Sequence, residues 1–231
     1  RLATAKRGGV TVTRVEIARE GLARPRGRYV TLEMPSVSVL DERDTDVIET
    51  GAAELRALLP PEGPVLVLGI GNRRVTADAL GPRTAQKILV TMGPQHTLPV
   101  RGIRPVAALA PGVSGDTGLT LRQLAAAMVD AVRPASLICV DSLCSAEAAR
   151  LGRTIQFSDT GLHPADARHA RHLDAAALGI PVIAAGIPTL MDADEGADLV
   201  LTPRALDSVI AHGSALLAGI LNRALQPRLS V

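Results

Sequence analysis

Val65-Leu66-Val67-Leu68-Gly69-Ile70-Gly71-Asn72, continued by Thr76-Ala77-Asp78-Ala79-Leu80-Gly81-Pro82, decides the fold class of this chain. A short apolar run bounded by glycine reads as a buried strand, and the polar turn after it leads into a helical pattern. A second run of the same kind, Leu137-Ile138-Cys139-Val140, closes on Asp141. Around these two runs the rhythm is strand, helix, strand, helix. Strands are expected at Val65–Ile70, Val106–Ala110, Leu137–Val140, Thr154–Phe157 and Val182–Ala185. Helices are expected at Ala79–Thr91, Leu119–Val132 (capped by Thr117 or Thr120) and Arg204–Leu225. Such alternation predicts an α/β fold, a mostly parallel sheet with helices on both faces.

Ahead of this core the pattern has period two. Gly9–Ile17 and Arg28–Met34 alternate apolar and polar residues and are joined through Gly21, Pro25 and Gly27, which predicts an N-terminal β-hairpin. Asp41–Leu59 reads as a helix, with acidic residues early and Pro60-Pro61 after it. The 231 residues fit a single domain, with residues 1–60 as hairpin and helix and residues 61–231 as the α/β core.

Composition excludes several functions. Tyr29 and Phe157 are the only aromatic residues, so stacking platforms for single-stranded nucleic acid are missing. A net charge of +2 gives no bias toward polyanions, and the Arg-rich stretches Arg1–Arg7 and Arg168–Arg171 read as a solvated face or flexible end. Neither nucleic acid nor a membrane is expected as a partner, since no apolar stretch reads as a bilayer span. Cys139 and Cys144 do not form a disulfide framework, which points to a reducing interior. No signal peptide is read from Arg1 onward, although a start without methionine leaves targeting open.

The chemistry-bearing residues gather at the expected strand ends. Residues past the C-terminal ends of parallel strands line a ligand crevice. Asp78 and Asp141 both fall there, and two carboxylates in one crevice can share a proton and activate a water. On spacing alone each reads first as a helix or turn cap. Gly69-Ile70-Gly71-Asn72 lets backbone N–H groups approach a ligand, but the third glycine of a dinucleotide fingerprint is missing. Ser158-Asp159-Thr160-Gly161-Leu162-His163-Pro164 is a third polar cluster. Its Asp-Thr-Gly is shared with pepsin-like proteases, whose all-β double barrel the α/β rhythm excludes. Asp78, Asp141 and His163 together offer donors for a divalent metal, though their spacing does not demand one. A serine nucleophile lacks its G-x-S-x-G elbow, and Cys144 lacks an ordered base.

Read together, these blocks resemble the germination protease family of spore-forming bacteria. The resemblance runs from about Gly9 nearly to the C-terminus. It rests on Gly27–Glu33, Leu68–Asn72, Val75–Pro82, Arg104–Val106, Ala110–Val113, Val140–Leu143, Thr154–Pro164, Leu178–Ala184, Gly186–Thr189 and Leu201–Pro203. It implies an endopeptidase that degrades small acid-soluble spore proteins during germination, made as a zymogen and acting as a homo-oligomer in the cytoplasm of the forespore or spore core. It implies Asp78 and Asp141 as the catalytic pair, with no cofactor and no metal ligand. Gly71, Asn72, Asp159 and His163 are then the candidate substrate contacts, with N–H groups around Gly69–Asn72 steadying the oxyanion. The resemblance also implies the fold of hydrogenase maturation peptidases. That kinship leaves a metal-sensing peptidase using Asp78, Asp141 and His163 as an alternative, and a non-catalytic relative that binds spore proteins as another. Two departures from the family pattern bear on substrate contact and activation: Ala165–Arg171 replaces a Gly-rich stretch, and only Leu190–Val200 fills the place of a long insertion.

Overall fold

The computed structural model describes residues 1–22, 24–40, 43–93, 102–163, 172–193 and 199–229. The Arg168–Arg171 stretch, His169, and the Ala165–Arg171 departure lie outside them. Its elements are β1 (Leu2–Arg7), β2 (Val10–Ile17), β3 (Gly27–Glu33), α1 (Thr45–Leu58), β4 (Val65–Gly69), α2 (Leu80–Ala85), β5 (Val106–Leu109), α3 (Ser114–Thr117), α4 (Leu121–Val132), β6 (Ser136–Cys144), β7 (Thr154–Ser158), α5 (Ala175–Leu178), β8 (Val182–Asp192), β9 (Val200–Leu201) and α6 (Leu206–Leu225). One sheet runs β1-β2-β3-β7-β8-β6-β4-β5, with β9 paired to β8.

The apolar runs form the centre of this sheet. Leu66, Val67, Leu137, Ile138, Cys139 and Val140 are fully buried, and each large side chain among them stabilises the fold by roughly 1.5–3 kcal/mol. Pairing is parallel across β5-β4-β6-β8 and antiparallel from β8 through β7, β3 and β2 to β1. The sheet is therefore mixed rather than mostly parallel. Parallel neighbours need a crossover: the β4–β5 connection carries α2 and the β6–β8 connection carries β7 and α5, whereas the antiparallel β1 and β2 meet through a two-residue turn.

Helices cover both faces, as the alternation predicts. On one side, residues of α1, α2 and α6 pack on Val65, Val67, Ile138, Val140, Ile155 and Phe157. On the other, residues of α4, with Leu178 of α5, pack on Leu66, Leu68, Leu137 and Cys139. The expected hairpin is present as β2 and β3, in register from Thr11↔Glu33 to Ile17↔Gly27. It has a third strand. Leu2–Arg7, read as a solvated face or flexible end, is β1, exposed along its whole length and paired to β2. The turn between them is Gly8-Gly9, with φ of 53° and 77°. Two consecutive positive φ values are what a tight type I′ hairpin requires, and glycine supplies them without strain.

Several elements differ in length from expectation. α2 stops at Ala85 instead of continuing to Thr91, because the Asn222 side chain accepts from the Leu89 N–H at 2.8 Å and donates to the Lys87 carbonyl at 3.0 Å. α4 starts at Leu121, two residues after the expected Leu119, and of the two expected caps Thr120 is used, forming a capping box with Gln123. α6 is 20 residues long with a mean hydropathy of 1.2, enough by length and composition to cross a bilayer; its window is 61% buried, against the rest of the fold. β6 and β8 both run past their apolar cores, to Cys144 and Asp192.

Candidate active site

Because β6 continues to Cys144, Asp141 lies within a strand rather than beyond its end. β4 stops at Gly69, opposite Val140, so Asp141 is the first β6 residue without a β4 neighbour. On its other side it is in register with Gly186 of β8. The chain leaving β4 turns back over this point. The Ile70 N–H donates to the Val140 carbonyl at 2.8 Å, fixing the turn one residue before Asp141.

The same turn builds the setting of Asp78. Gly71 is buried, at φ +123°, and a side chain there would overlap the Asp78 backbone carbonyl and crowd its carboxylate. Gly81 allows α2 to press on Ile70 and Val140, whose carbonyl oxygens a Cβ at Gly81 would overlap. The glycines at 71 and 81 thus let the β4 turn, the start of α2 and β6 meet at backbone contact. Asp78 ends a single 3-10 turn, Thr76–Asp78, and its Oδ2 accepts the Asn72 N–H at 2.7 Å. From β8, the buried Thr189 hydroxyl donates to the Ala77 carbonyl at 2.9 Å. Thr189 has no role in the sequence reading, where its block carries only resemblance; a polar residue in an otherwise apolar strand was the available signal.

The two carboxylates are both half-buried. Burial pushes Asp78 above the usual carboxylate range, and the Asn72 N–H partly offsets this. Asp141 is pushed up further, to about 8, first by burial and then by the negative charge of Asp78; the Ser142 N–H, donating to Oδ1 at 2.8 Å, works the other way. The charged form is thus disfavoured more strongly at Asp141 than at Asp78, and the two titrate as a coupled pair. Beside them the Ser142 hydroxyl is buried without a partner among the described residues.

Other expected contacts fall elsewhere. Asn72 does not offer its N–H to an oxyanion, since Asp78 takes it, and the Ile70 N–H is taken by Val140. Asp159 and His163 were expected near the same sheet edge as the aspartates. β7 runs antiparallel to β8, with Gln156 opposite Gly186 and Ser158 opposite Ala184. The chain after Ser158 consequently leaves from the edge where β6 and β8 begin. There Asp159 accepts from the Arg28 N–H at 2.7 Å and its guanidinium at 2.6 Å. His163 packs edge-on against His172, with ring centroids 4.7 Å apart, so it does not complete a donor set with Asp78 and Asp141. Both cysteines are free; burial raises the Cys144 thiol, which is not an activated nucleophile.

Comparison with known proteins gives a consistent set of matches. The family model described as germination protease matches residues 2–195. A germination protease of Clostridium perfringens (strain 13 / Type A) is 33% identical over 278 aligned residues, covering 95% of this chain and 86% of that protein. That alignment is longer than this chain, so the relative carries residues with no counterpart here. The germination protease of Caldanaerobacter subterraneus subsp. tengcongensis is 40% identical over 200 residues, covering 80% of this chain and 61% of that one. Among solved structures, the NiFe hydrogenase maturation protease HycI of Thermococcus kodakarensis KOD1 matches 73% of this chain and 98% of its own, at 16% identity and a TM-score of 0.45.

Proposed function

The chain belongs to the germination protease family, and from that premise we propose that it is an endopeptidase that degrades small acid-soluble spore proteins through Asp78 and Asp141. The observation that carries the mechanism is the convergence of the Asp78 turn on β6 beside Asp141, with Asp78 held by the Asn72 N–H, and with burial and the Asp78 charge together raising the Asp141 carboxyl to about 8. Two acids whose surroundings separate their protonation divide the roles of acid and base.

Asp78 takes a proton from water as the water oxygen bonds to the scissile carbonyl carbon. Asp141 donates a hydrogen bond to the carbonyl oxygen, then transfers its proton to the amide nitrogen as the C–N bond breaks. The proton held by Asp78 passes back to Asp141, which restores the starting state. Asn72 holds Asp78 through its N–H and is a positioning residue in this scheme.

Function in the forespore or spore core, maturation from a zymogen and assembly into a homo-oligomer belong to the same reading. The exposed edge strand β1 supports assembly, because an uncovered edge is a template for pairing. The test is incubation of the purified chain with a small acid-soluble spore protein and mass spectrometry of the products. Discrete internal cleavage, lost in Asp78→Asn and in Asp141→Asn, is expected. An intact substrate, or wild-type cleavage by either variant, overturns the assignment.

A further inference from the structure

On the far edge of the sheet from the aspartates, Leu162 and Leu173 form an antiparallel bridge, exchanging N–H···O bonds of 2.8 and 3.0 Å. Both leucines are buried in the core on the α4 side. This pairing sets His163 opposite His172, and alternation puts His172 and Asp174 on one side of their strand. The bridge thus anchors its leucines inward and gathers two imidazoles and a carboxylate on the outer side. Their donor atoms lie within 4.8 Å of one another, and all three residues are half-buried.

The contacts of His163 and Asp174 bear on their donor atoms. His163 Nε2 donates to the Thr160 carbonyl at 2.7 Å. A histidine that donates one ring N–H to a backbone carbonyl presents the other nitrogen as a lone pair, the usual state of a metal-binding imidazole. Asp174 caps α5 by accepting the Ala177 N–H through Oδ1 at 2.8 Å, which leaves Oδ2 for another partner.

We propose that His163, His172 and Asp174 form a binding site for a borderline divalent transition-metal ion of the zinc class. Two imidazoles and one carboxylate are a donor set suited to such ions and unsuited to calcium or magnesium, which take all-oxygen shells. Zn–N and Zn–O bonds of about 2.0–2.2 Å put tetrahedral donors about 3.3–3.6 Å apart, so binding draws the donors together by about 1 Å. The ion clips the chain segment at His163 to that at His172 and Asp174. It stands apart from the two aspartates and needs no part in peptide hydrolysis. Nothing in this argument depends on the proposed function, because the readout is metal binding.

The 231-residue chain, stripped with a chelator, is titrated with Co2+ and followed by visible absorption, then displaced with Zn2+. One equivalent of Co2+ with d–d bands of four- or five-coordination, displaced by Zn2+, is the expected result. His172→Ala and Asp174→Asn each weaken Co2+ by at least about tenfold, while His212→Ala, on α6, leaves it unchanged. Circular dichroism of the metal-free variants, matching the wild type, shows that they fold. Absence of any Co2+ band, unchanged affinity in His172→Ala, or loss of binding in His169→Ala with retention in His172→Ala overturns the site.

Discussion

The Thr189 hydroxyl, buried on β8, donates to the Ala77 carbonyl at 2.9 Å and so ties the strand beside Asp141 to the turn that carries Asp78. Thr189→Val keeps the volume and removes the donor, leaving a carbonyl without its partner. A loss of about 1–3 kcal/mol in chemical denaturation is expected. The turn holding Asp78 loosens at the same time, so kcat falls more than KM rises. Equal stability of variant and wild type removes this role for Thr189.

Asp141→Asn separates chemistry from stability. The variant loses the acid and its rate drops by about 10²–10⁴. Stability moves the other way. A carboxyl raised to about 8 in the folded protein, against about 3.9 when unfolded, makes the folded state bind more protons between these values, so wild-type stability falls as pH rises through that window. Below about pH 4 both states are protonated and the slope vanishes. The melting temperature of the variant, compared with wild type, is therefore expected to gain progressively from pH 4 to pH 8, with 1 kcal/mol worth about 2–4 °C at this size. A pH-independent difference contradicts the raised carboxyl.

The rate profile carries the same signature. Cleavage needs Asp141 protonated and Asp78 ionised, so kcat/KM declines above about pH 8 and on the acid side falls at a pH above the ordinary carboxylate range, where burial places Asp78. In Asp78→Asn the repulsion is gone and the Asp141 carboxyl drops below its wild-type value. A pH titration of stability in that variant reads the change directly.

Gly71→Ala tests the close packing of the site. At φ +123° an added methyl is strained and overlaps the Asp78 carbonyl. The turn must move, and Asp78 with it. Loss of most activity is expected together with about 1–3 kcal/mol of stability. Full activity in this variant means the turn does not fix Asp78.

Asp159→Asn probes the opposite edge. Its ion pair with Arg28 is partly exposed, with side-chain exposures of 48% and 24% for Arg28 and Asp159, and is worth about 0.2–1 kcal/mol. A small loss of stability with unchanged KM is expected from steady-state kinetics; a large rise in KM restores Asp159 as a substrate contact.

The parallel core was readable because Val65–Leu68 and Leu137–Val140 are continuous apolar runs with polar punctuation, and the punctuation itself marked Asp78 and Asp141. Strand direction was not readable. Thr154–Phe157 has the same composition whether it runs with β8 or against it, and only the pairing Gln156↔Gly186 shows that it runs against, which moves Asp159 and His163 to the other edge. β1 was missed for a related reason. Leu2–Arg7 buries nothing, so no hydrophobic pattern announces it, and its strand character comes from β2 through the Gly8-Gly9 turn. The use of the Asn72 N–H is equally hidden, since a backbone donor leaves no mark in the side-chain alphabet.

The junction between β3 and β7 pairs Tyr29–Glu33 with Thr154–Ser158, closing a stretch of chain on the order of 100 residues. The three N-terminal strands are joined by local turns and can form quickly, whereas this junction must wait for both halves of the chain. Docking of the β1-β2-β3 ribbon onto β7 is therefore a late event in folding. The ribbon is expected to open as one cooperative unit while β4, β6 and β8 stay closed, and native-state hydrogen exchange reads this as weaker protection at Tyr29–Glu33 than at Leu137–Val140.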